Sequence, residues 1–413
     1  MAGNEEPLEL GGRLRQIRED KGLKLRAVAN TAKVNHGYLS QLERGEVTAP
    51  APAILQRLAP AYGVPFPLLM EWAGYIESGL SANQKRALSV LGADVSDREL
   101  ELVQAFLDTL RKQGATLPQL ARLDADLPEE EVARIRGYVL ALLRRADALE
   151  SVPTRLDQVL DVARLVSSGE IRLDPEEKHK LRKRFGDLVD HVWTRLQGVI
   201  HFGSREVWIN PDMYPLRQRF VLGHEVGHYV LPEHRETFAY LDDEKRLSPQ
   251  VYDLFERQAN QAAIEILAQG DRLRREADDS PLTMDLVGDL AERFVISMQA
   301  TARRIVEETK QDCALAIAFR KSPLAPVTPA HLYCSRSFEQ RFRWKATGSA
   351  RQLIAHSVAA ARRKDVLEPL VTTDVGGRAA TIEVDPLATP RAVLVLFRVL
   401  PARSRLARLA AIR

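Results

Sequence analysis

The stretch VLGHEVGHYVLPEH, residues 221–234, holds three histidines and two glutamates between His224 and His234. His224 and His228 stand at i and i+4, so on an α-helix their side chains share one face about one turn apart. Two neutral imidazoles so placed reach one zinc ion at about 2.0–2.1 Å. Glu225 follows the first histidine and would stand beside the metal rather than on it. A carboxylate there takes a proton from water and returns it to a leaving group. Phe220, Val221, Val226 and Val230 surround the pair, and Gly223 and Gly227 allow close approach of a metal site or a second helix.

This is the HExxH arrangement of zinc peptidases. Zinc then needs a third protein ligand and an open position for water. Two candidates compete. His234 completes the spacing H-E-x-x-H-x-x-x-x-x-H of metzincins, but those proteins turn the chain at a glycine where this one has Leu231 and Pro232. Glu256 lies 28 positions after His228 (256 − 228) and would give a His, His, Glu set. As plain structure Glu256 is a solvated helix acid. Tyr229, His201 and His234 are open candidates for the group that meets developing negative charge opposite Glu225.

The elements that must position these residues follow from pattern. PLRQRFVLGHEVGHYV (215–230) reads as a helix with Pro215 at its start and Leu231-Pro232 at its end. GVIHFGSREVWIN (198–210) reads as a β-hairpin around Gly203-Ser204. Charged loop sequence runs to about Ser248, and 249–269 is the next helix. Residues 284–309 make two more helices, split near Val295-Ile296-Ser297. Upstream, helices are expected from Val152-Pro153 to about Leu196, over 99–113, and from Pro128 with its three following acids. Composition changes at Cys313. CALAIAFR, HLYCSRS, ATIEVDP and AVLVLFRVL look like strands, with a helix at 350–364 between them. The tail ARSRLARLAAIR is basic and reads as a solvated terminus.

RQRFVLGHEVGHYVL, ERQANQAAIEIL and RFVISMQATARRI, in that order, resemble the ImmA/IrrE family of bacterial metallopeptidases over roughly 152–310. The resemblance implies that the third ligand is the glutamate opening the E-x-x-A-N segment, here Glu256. It also implies cleavage of a transcriptional repressor in a stress or mobile-element response. Zinc is the expected cofactor, with manganese as a substitute in use. One segment departs: the following helix ends Ile266-Leu267-Ala268-Gln269 where the family commonly has Leu-Leu-Met-Pro.

LRQIREDKGLKLRAVANTAKVNHGYLSQLERG (14–45) reads as helix, short helix, turn, helix, with Asn35 as a cap for the last. In a helix-turn-helix unit that helix enters the major groove. Its early residues are His36, Gly37, Tyr38, Ser40 and Gln41, and Gln41 has the donor and acceptor to pair with adenine. Arg26 and Arg44 are placed for phosphates. The stretch resembles the XRE/Cro-repressor-like family across about 11–72, on Gly22-Leu23, Val28-Ala29 and the run Tyr38 to Gly45. Lys33 stands where that family usually has a turn glycine, and a left-handed backbone there costs of order 1 kcal/mol. Charge does not argue for DNA: residues 1–75 carry nine Lys/Arg and eight Asp/Glu.

The chain of 413 residues has a net charge of +3 and two cysteines, Cys313 and Cys334, too few for a disulfide framework. No apolar run nears the roughly 20 residues of a membrane span, and the acidic start lacks a signal pattern. A cytoplasmic protein, nucleoid-associated when on DNA, is expected. The expected fold is multidomain and mainly α: a helix-turn-helix domain at 8–75, a helical linker or dimerisation region at 76–151, a helical zincin-like domain with a small β-hairpin at 152–311, and a C-terminal α+β sensor domain, GAF-like, at 312–413. The expected function is transcriptional regulation through zinc-dependent cleavage of a repressor or of the chain itself. The alternative is a transcription factor whose zinc domain is silent and couples ligand sensing to DNA affinity. Double-stranded DNA is the expected partner, and a homodimer is expected because such regulators read paired half-sites.

Overall fold

The computed structural model describes residues 10–78, 127–170, 179, 182–183, 198–202, 205–211, 213–241, 245–319, 331–347, 350–363, 367–390 and 392–401. The expected helix at 99–113, the hairpin's Gly203-Ser204 turn and the basic tail lie outside these residues. The chain divides into two compact units, Met1–Ala148 with Leu156–Ile266, and Leu149–Arg155 with Leu267–Arg413. The described part is mostly helical, and none of its helices is long and apolar enough to cross a membrane.

The first unit opens with five helices: α1 (Leu10–Asp20), α2 (Leu25–Ala32), α3 (His36–Glu43), α4 (Pro52–Tyr62) and α5 (Phe66–Trp72). Lys33 takes the left-handed conformation, φ 53° and ψ 43°, so the turn between α2 and α3 keeps the geometry a glycine would adopt more cheaply. The Asn35 side chain accepts from the backbone N–H groups of Gly37 and Tyr38, as its cap role requires. Leu14, Leu39, Leu42, Leu55, Leu58 and Tyr62 fill the centre.

The chain continues through β1 (Ile76–Ser78), α6 (Glu129–Arg145), α7 (Leu156–Ala163), β2 (Val166–Glu170), β3 (Gly198–His201), β4 (Glu206–Ile209), α8 (Pro215–Val230), α9 (Pro232–Tyr240), β5 (Lys245–Leu247) and α10 (Pro249–Ala268). The hairpin is β3 with β4, antiparallel, and β2 joins β4 in parallel. Two sequence expectations fail here. Residues 166–170 are a strand, not helix: VSSGE is short of good helix formers, and Arg164, at φ 55°, ends α7 before it. The charged stretch after 231 is not all loop. Pro232 stops α8 but sits at the first turn of α9, where its missing N–H is harmless.

The helix-turn-helix core does not close on itself. Leu247, Val251 and Phe255 belong to the same buried cluster as the α1–α5 residues, with Phe238 and Tyr240 packed against it. β1 pairs antiparallel with β5, the Ser248 N–H donates to the Tyr75 carbonyl, and Tyr240 donates to Glu71.

The second unit holds α11 (Arg272–Asp278), α12 (Met284–Phe294), α13 (Met298–Glu308), β6 (Cys313–Phe319), β7 (His331–Cys334), α14 (Arg336–Phe342), α15 (Trp344–Thr347), α16 (Arg351–Arg363), β8 (Leu370–Thr373), β9 (Ala379–Ala388) and β10 (Ala392–Val399). Its sheet runs β7-β6-β10-β9-β8, with every neighbouring pair antiparallel. Ile354, Val358 and Ala361 of α16 pack on Val393, Val395 and Phe397. Both cysteines are free and buried. Ala314 faces Cys334 across the strands, which puts Cys313 on the other side of the sheet.

Candidate metal centre and nucleic-acid interface

α8 and α10 touch through their smallest residues. A Cβ on Gly227 would lie 2.9 Å from both the Ala259 carbonyl oxygen and Ala262 Cβ, so the helices approach as closely as a bare backbone allows. A Cβ on Gly223 would make only ordinary contact with Ala263, 3.5 Å away. This crossing brings α10 under the histidine face of α8.

Three side chains converge there. His224 Nε2 lies 3.1 Å from His228 Nε2. Glu256 offers one carboxylate oxygen to each, at 3.3 and 3.4 Å. The alignment is too poor for hydrogen bonds, and both Glu256 oxygens are buried without one. Such orphaned acceptors cost free energy in a dry site, and a cation bound between them would remove that cost. A hard carboxylate with two imidazoles is a donor set that zinc accepts. The residues present fit the metal. Burial pushes Glu256 up, but the two imidazoles beside it outweigh burial and hold it at about 2. Burial alone would lower His224; Glu256 and Glu225 raise it on balance. Burial keeps His228 below the usual histidine range despite Glu256.

Glu225 is wholly buried, and neither oxygen has a hydrogen-bond partner. Burial, aided by Glu256, raises it to about 8 against the pull of His224. Gly198 of β3 leans on it: a Cβ there would come within 2.8 Å of Glu225 Oε1. The order β2-β4-β3 makes β3 an outer strand among the described strands.

His234 is near the cluster but turned away from it. Its Nδ1 meets His228 Nδ1 at 3.0 Å, the nitrogen on the far side of that ring, and its ring stacks on Phe255 at 4.0 Å. The backbone therefore brings Glu256, not His234, to the two Nε2 atoms. Sequence reasoning missed two groups. Asn260 Oδ1 lies 3.0 Å from His224 Nδ1, so that nitrogen carries the proton and Nε2 presents its lone pair. Asn260 is four residues after Glu256 on the same helix face, a signal the spacing did contain. Gln258 meets His234, at 2.8 Å, and had no local signal. Tyr229 stacks on Phe202 and lies under Arg235. The His201 side chain lies outside the described residues.

On α3, His36, Gly37 and Gln41 are exposed, while Tyr38 and Ser40 are half-buried over Leu39 and Leu42. Arg26 on α2 is exposed. Arg44 is exposed too and bonds to Ser40 Oγ and Glu46 Oε1, at 2.5 and 2.7 Å. Arg18, Glu43 and Tyr62 form a buried network that ties α1, α3 and α4 together.

Fold and site define a helix-turn-helix protein with a metallopeptidase-like centre. Comparison with known proteins agrees at both ends. Residues 9–72 match a helix-turn-helix domain model, and residues 172–306 match the IrrE N-terminal-like domain, a metallopeptidase model. The HTH-type transcriptional regulator DdrOP3 of Deinococcus deserti is 36% identical over 87 residues, 21% of this chain and 67% of that protein. The HTH-type transcriptional repressor RghR of Bacillus subtilis is 37% identical over 67 residues, 16% of this chain and half of that protein. A Mycobacterium tuberculosis transcriptional regulator of solved structure has a TM-score of 0.38 at 10% identity, over 65% of this chain and 88% of that one. The chain belongs to the HTH-type transcriptional regulators and carries an IrrE-like domain behind its DNA-binding module.

Proposed function

We propose that this regulator is a zinc-dependent endopeptidase, with the site in its 152–311 segment and a repressor of the helix-turn-helix class, or its own module, as substrate. The convergence of His224, His228 and Glu256 on one point, with an unpartnered Glu225 beside it, carries the reading. His224, His228 and Glu256 would hold the metal. When bound, zinc supplies Lewis-acid chemistry that polarises a carbonyl and acidifies water. Glu225 takes the proton from the attacking water and delivers it to the departing amine. Without metal, burial holds Glu225 at about 8, largely protonated near neutral pH. A cation held by His224, His228 and Glu256 would favour its carboxylate, the form that accepts the proton. Val221 and Val226 are buried beside it and keep bulk water out. An extended peptide would lie along the outer edge of β3, whose backbone groups suit strand addition.

The 8–75 segment would deliver this chemistry to DNA, with His36, Gly37, Tyr38, Ser40 and Gln41 at base edges and Arg26 and Arg44 at phosphates. Paired half-sites would be read by a homodimer in the cytoplasm. The 312–413 segment would act as sensor. Its five-stranded antiparallel sheet with α16 on one face suits a GAF-like module, and the second unit holds an open cavity of about 700 Å³ lined by Asp278, Lys310, Asp312 and Arg398 among others.

Incubation with zinc, operator DNA and a candidate repressor, followed by intact mass, tests the reading. Fragments formed by wild type and absent from Glu225→Gln are expected. The shared core of α1–α5 with α10 favours a second reading, in which the metal site cuts nothing and metal occupancy sets DNA affinity. No fragments, with DNA affinity changed equally by zinc in both proteins, is the result that second reading requires.

A further inference from the structure

The hydrogen bonds behind His228 run on into α6. His228 Nδ1 meets His234 Nδ1 at 3.0 Å, His234 Nε2 meets Gln258 Oε1 at 2.8 Å, and Gln258 Nε2 meets Glu131 Oε1 at 2.5 Å. Glu131 is also paired with Arg134, which bonds in turn to Glu233.

We propose that Glu131, Gln258 and His234 form a positioning relay that fixes the ring orientation and tautomer of His228 for metal binding. The donor and acceptor roles along the chain leave one assignment. A carboxylate paired with an arginine only accepts, so Gln258 turns its NH₂ to Glu131. Its carbonyl oxygen then faces His234 and must receive a proton, so His234 carries its hydrogen on Nε2. The His234 Nδ1 is left as an acceptor. His228 Nδ1 must therefore donate, and His228 Nε2 is left with its lone pair aimed at His224 Nε2 and Glu256. Asn260 does the same for His224 in one step. His228 is thus oriented from a carboxylate 127 residues away in sequence from Gln258, on a helix outside the matched peptidase segment. A ligand's outer partner of this kind typically contributes 10–100-fold to metal affinity.

The relay rests on the metal-site reading, and its test separates the two. Zinc dissociation constants come from competition with a chromophoric chelator, on the full-length chain. Wild type should bind zinc; failure to do so overturns the metal site itself. His234→Phe keeps the ring that stacks on Phe255 and removes the acceptor, and Gln258→Leu removes His234's acceptor. Both should weaken zinc 10–100-fold, while His234→Gln, with an acceptor oxygen and a donor NH₂, should stay within about threefold of wild type. In the metal-free protein, ¹⁵N-edited ring spectra should report His228 as the Nδ1–H tautomer in wild type and lose that uniform state in Gln258→Leu. Thermal melts of the metal-free variants identify any that fail to fold, and Gln258→Leu then stands in for His234→Phe. Wild-type zinc affinity in both variants, or an unchanged His228 tautomer, would overturn the relay and leave His234 as a packing ring.

Discussion

At the scale of a residue, Glu225 is the group with most at stake. It is an acid with no hydrogen-bond partner in a dry pocket, raised to about 8. An unfolded glutamate releases its proton near 4.5. Between those limits the metal-free folded protein binds the proton and the unfolded chain does not. Stability therefore falls as pH rises through that window, by at most about 1.4 kcal/mol per pH unit from this group. Neighbouring groups also titrate: His224 is raised and adds to the fall, whereas His228 and His234 are lowered and oppose it up to the histidine range. The difference between proteins isolates Glu225. Glu225→Gln should gain on wild type steadily from pH 5 to 8 in chemical-denaturation series run with a chelator. Parallel pH profiles would mean that Glu225 meets water in solution. The sequence announced this residue through HExxH, but it could not announce the missing partners, which depend on β3 and α10 folding over it.

At the scale of elements, the site exists because α8 and α10 can touch. Gly227 makes that contact. A methyl there meets a backbone carbonyl and a Cβ, neither of which can rotate away, so the helices must part. Gly223 has room for the same methyl. Gly227→Ala should weaken zinc binding at least tenfold and destabilise the protein by about 1–3 kcal/mol, the usual range for overpacking. Gly223→Ala should do much less. Chelator competition and thermal melts on the pair check this, and equal effects would show that the crossing is not set by Gly227. α8, α10 and the hairpin were legible because each shows one period over enough residues and has a proline at one boundary, Pro215, Pro249 and Pro211. α9 was not, since Pro232 carries opposite meanings as the end of one helix and the first turn of the next. β1 and β5 are three residues each and pair across a long stretch of sequence, leaving no local pattern. His224 and His228 stood out by their i, i+4 spacing on α8, whereas Glu256 was singled out from His234 through the family resemblance. Gln258 and Glu131 were not, because their meeting is tertiary.

At the scale of the molecule, the DNA-binding helices and the metal helix draw on one core. Phe255 is buried with Leu58, Leu69 and Met70, and the next residue along is Glu256. A ligand that binds only the folded state stabilises it by RT ln(1 + [L]/Kd), about 2.7 kcal/mol at a hundredfold excess over Kd. If the core is cooperative, that gain spreads beyond the metal helix. Zinc should then slow amide exchange not only in α8 and α10 but also in α4 and α5, which hold no candidate ligand. Phe255→Ala should cost about 3–5 kcal/mol. It should also uncouple the two regions, so that zinc still protects α8 while α4 and α5 exchange at their metal-free rates. Hydrogen exchange followed by mass spectrometry resolves the segments. Protection confined to α8 and α10 in wild type would mean that the α1–α5 module opens independently of the core it shares. Protection reaching α5 would give metal and DNA a common folding free energy, and linkage then requires that operator DNA tighten zinc by the factor with which zinc tightens DNA.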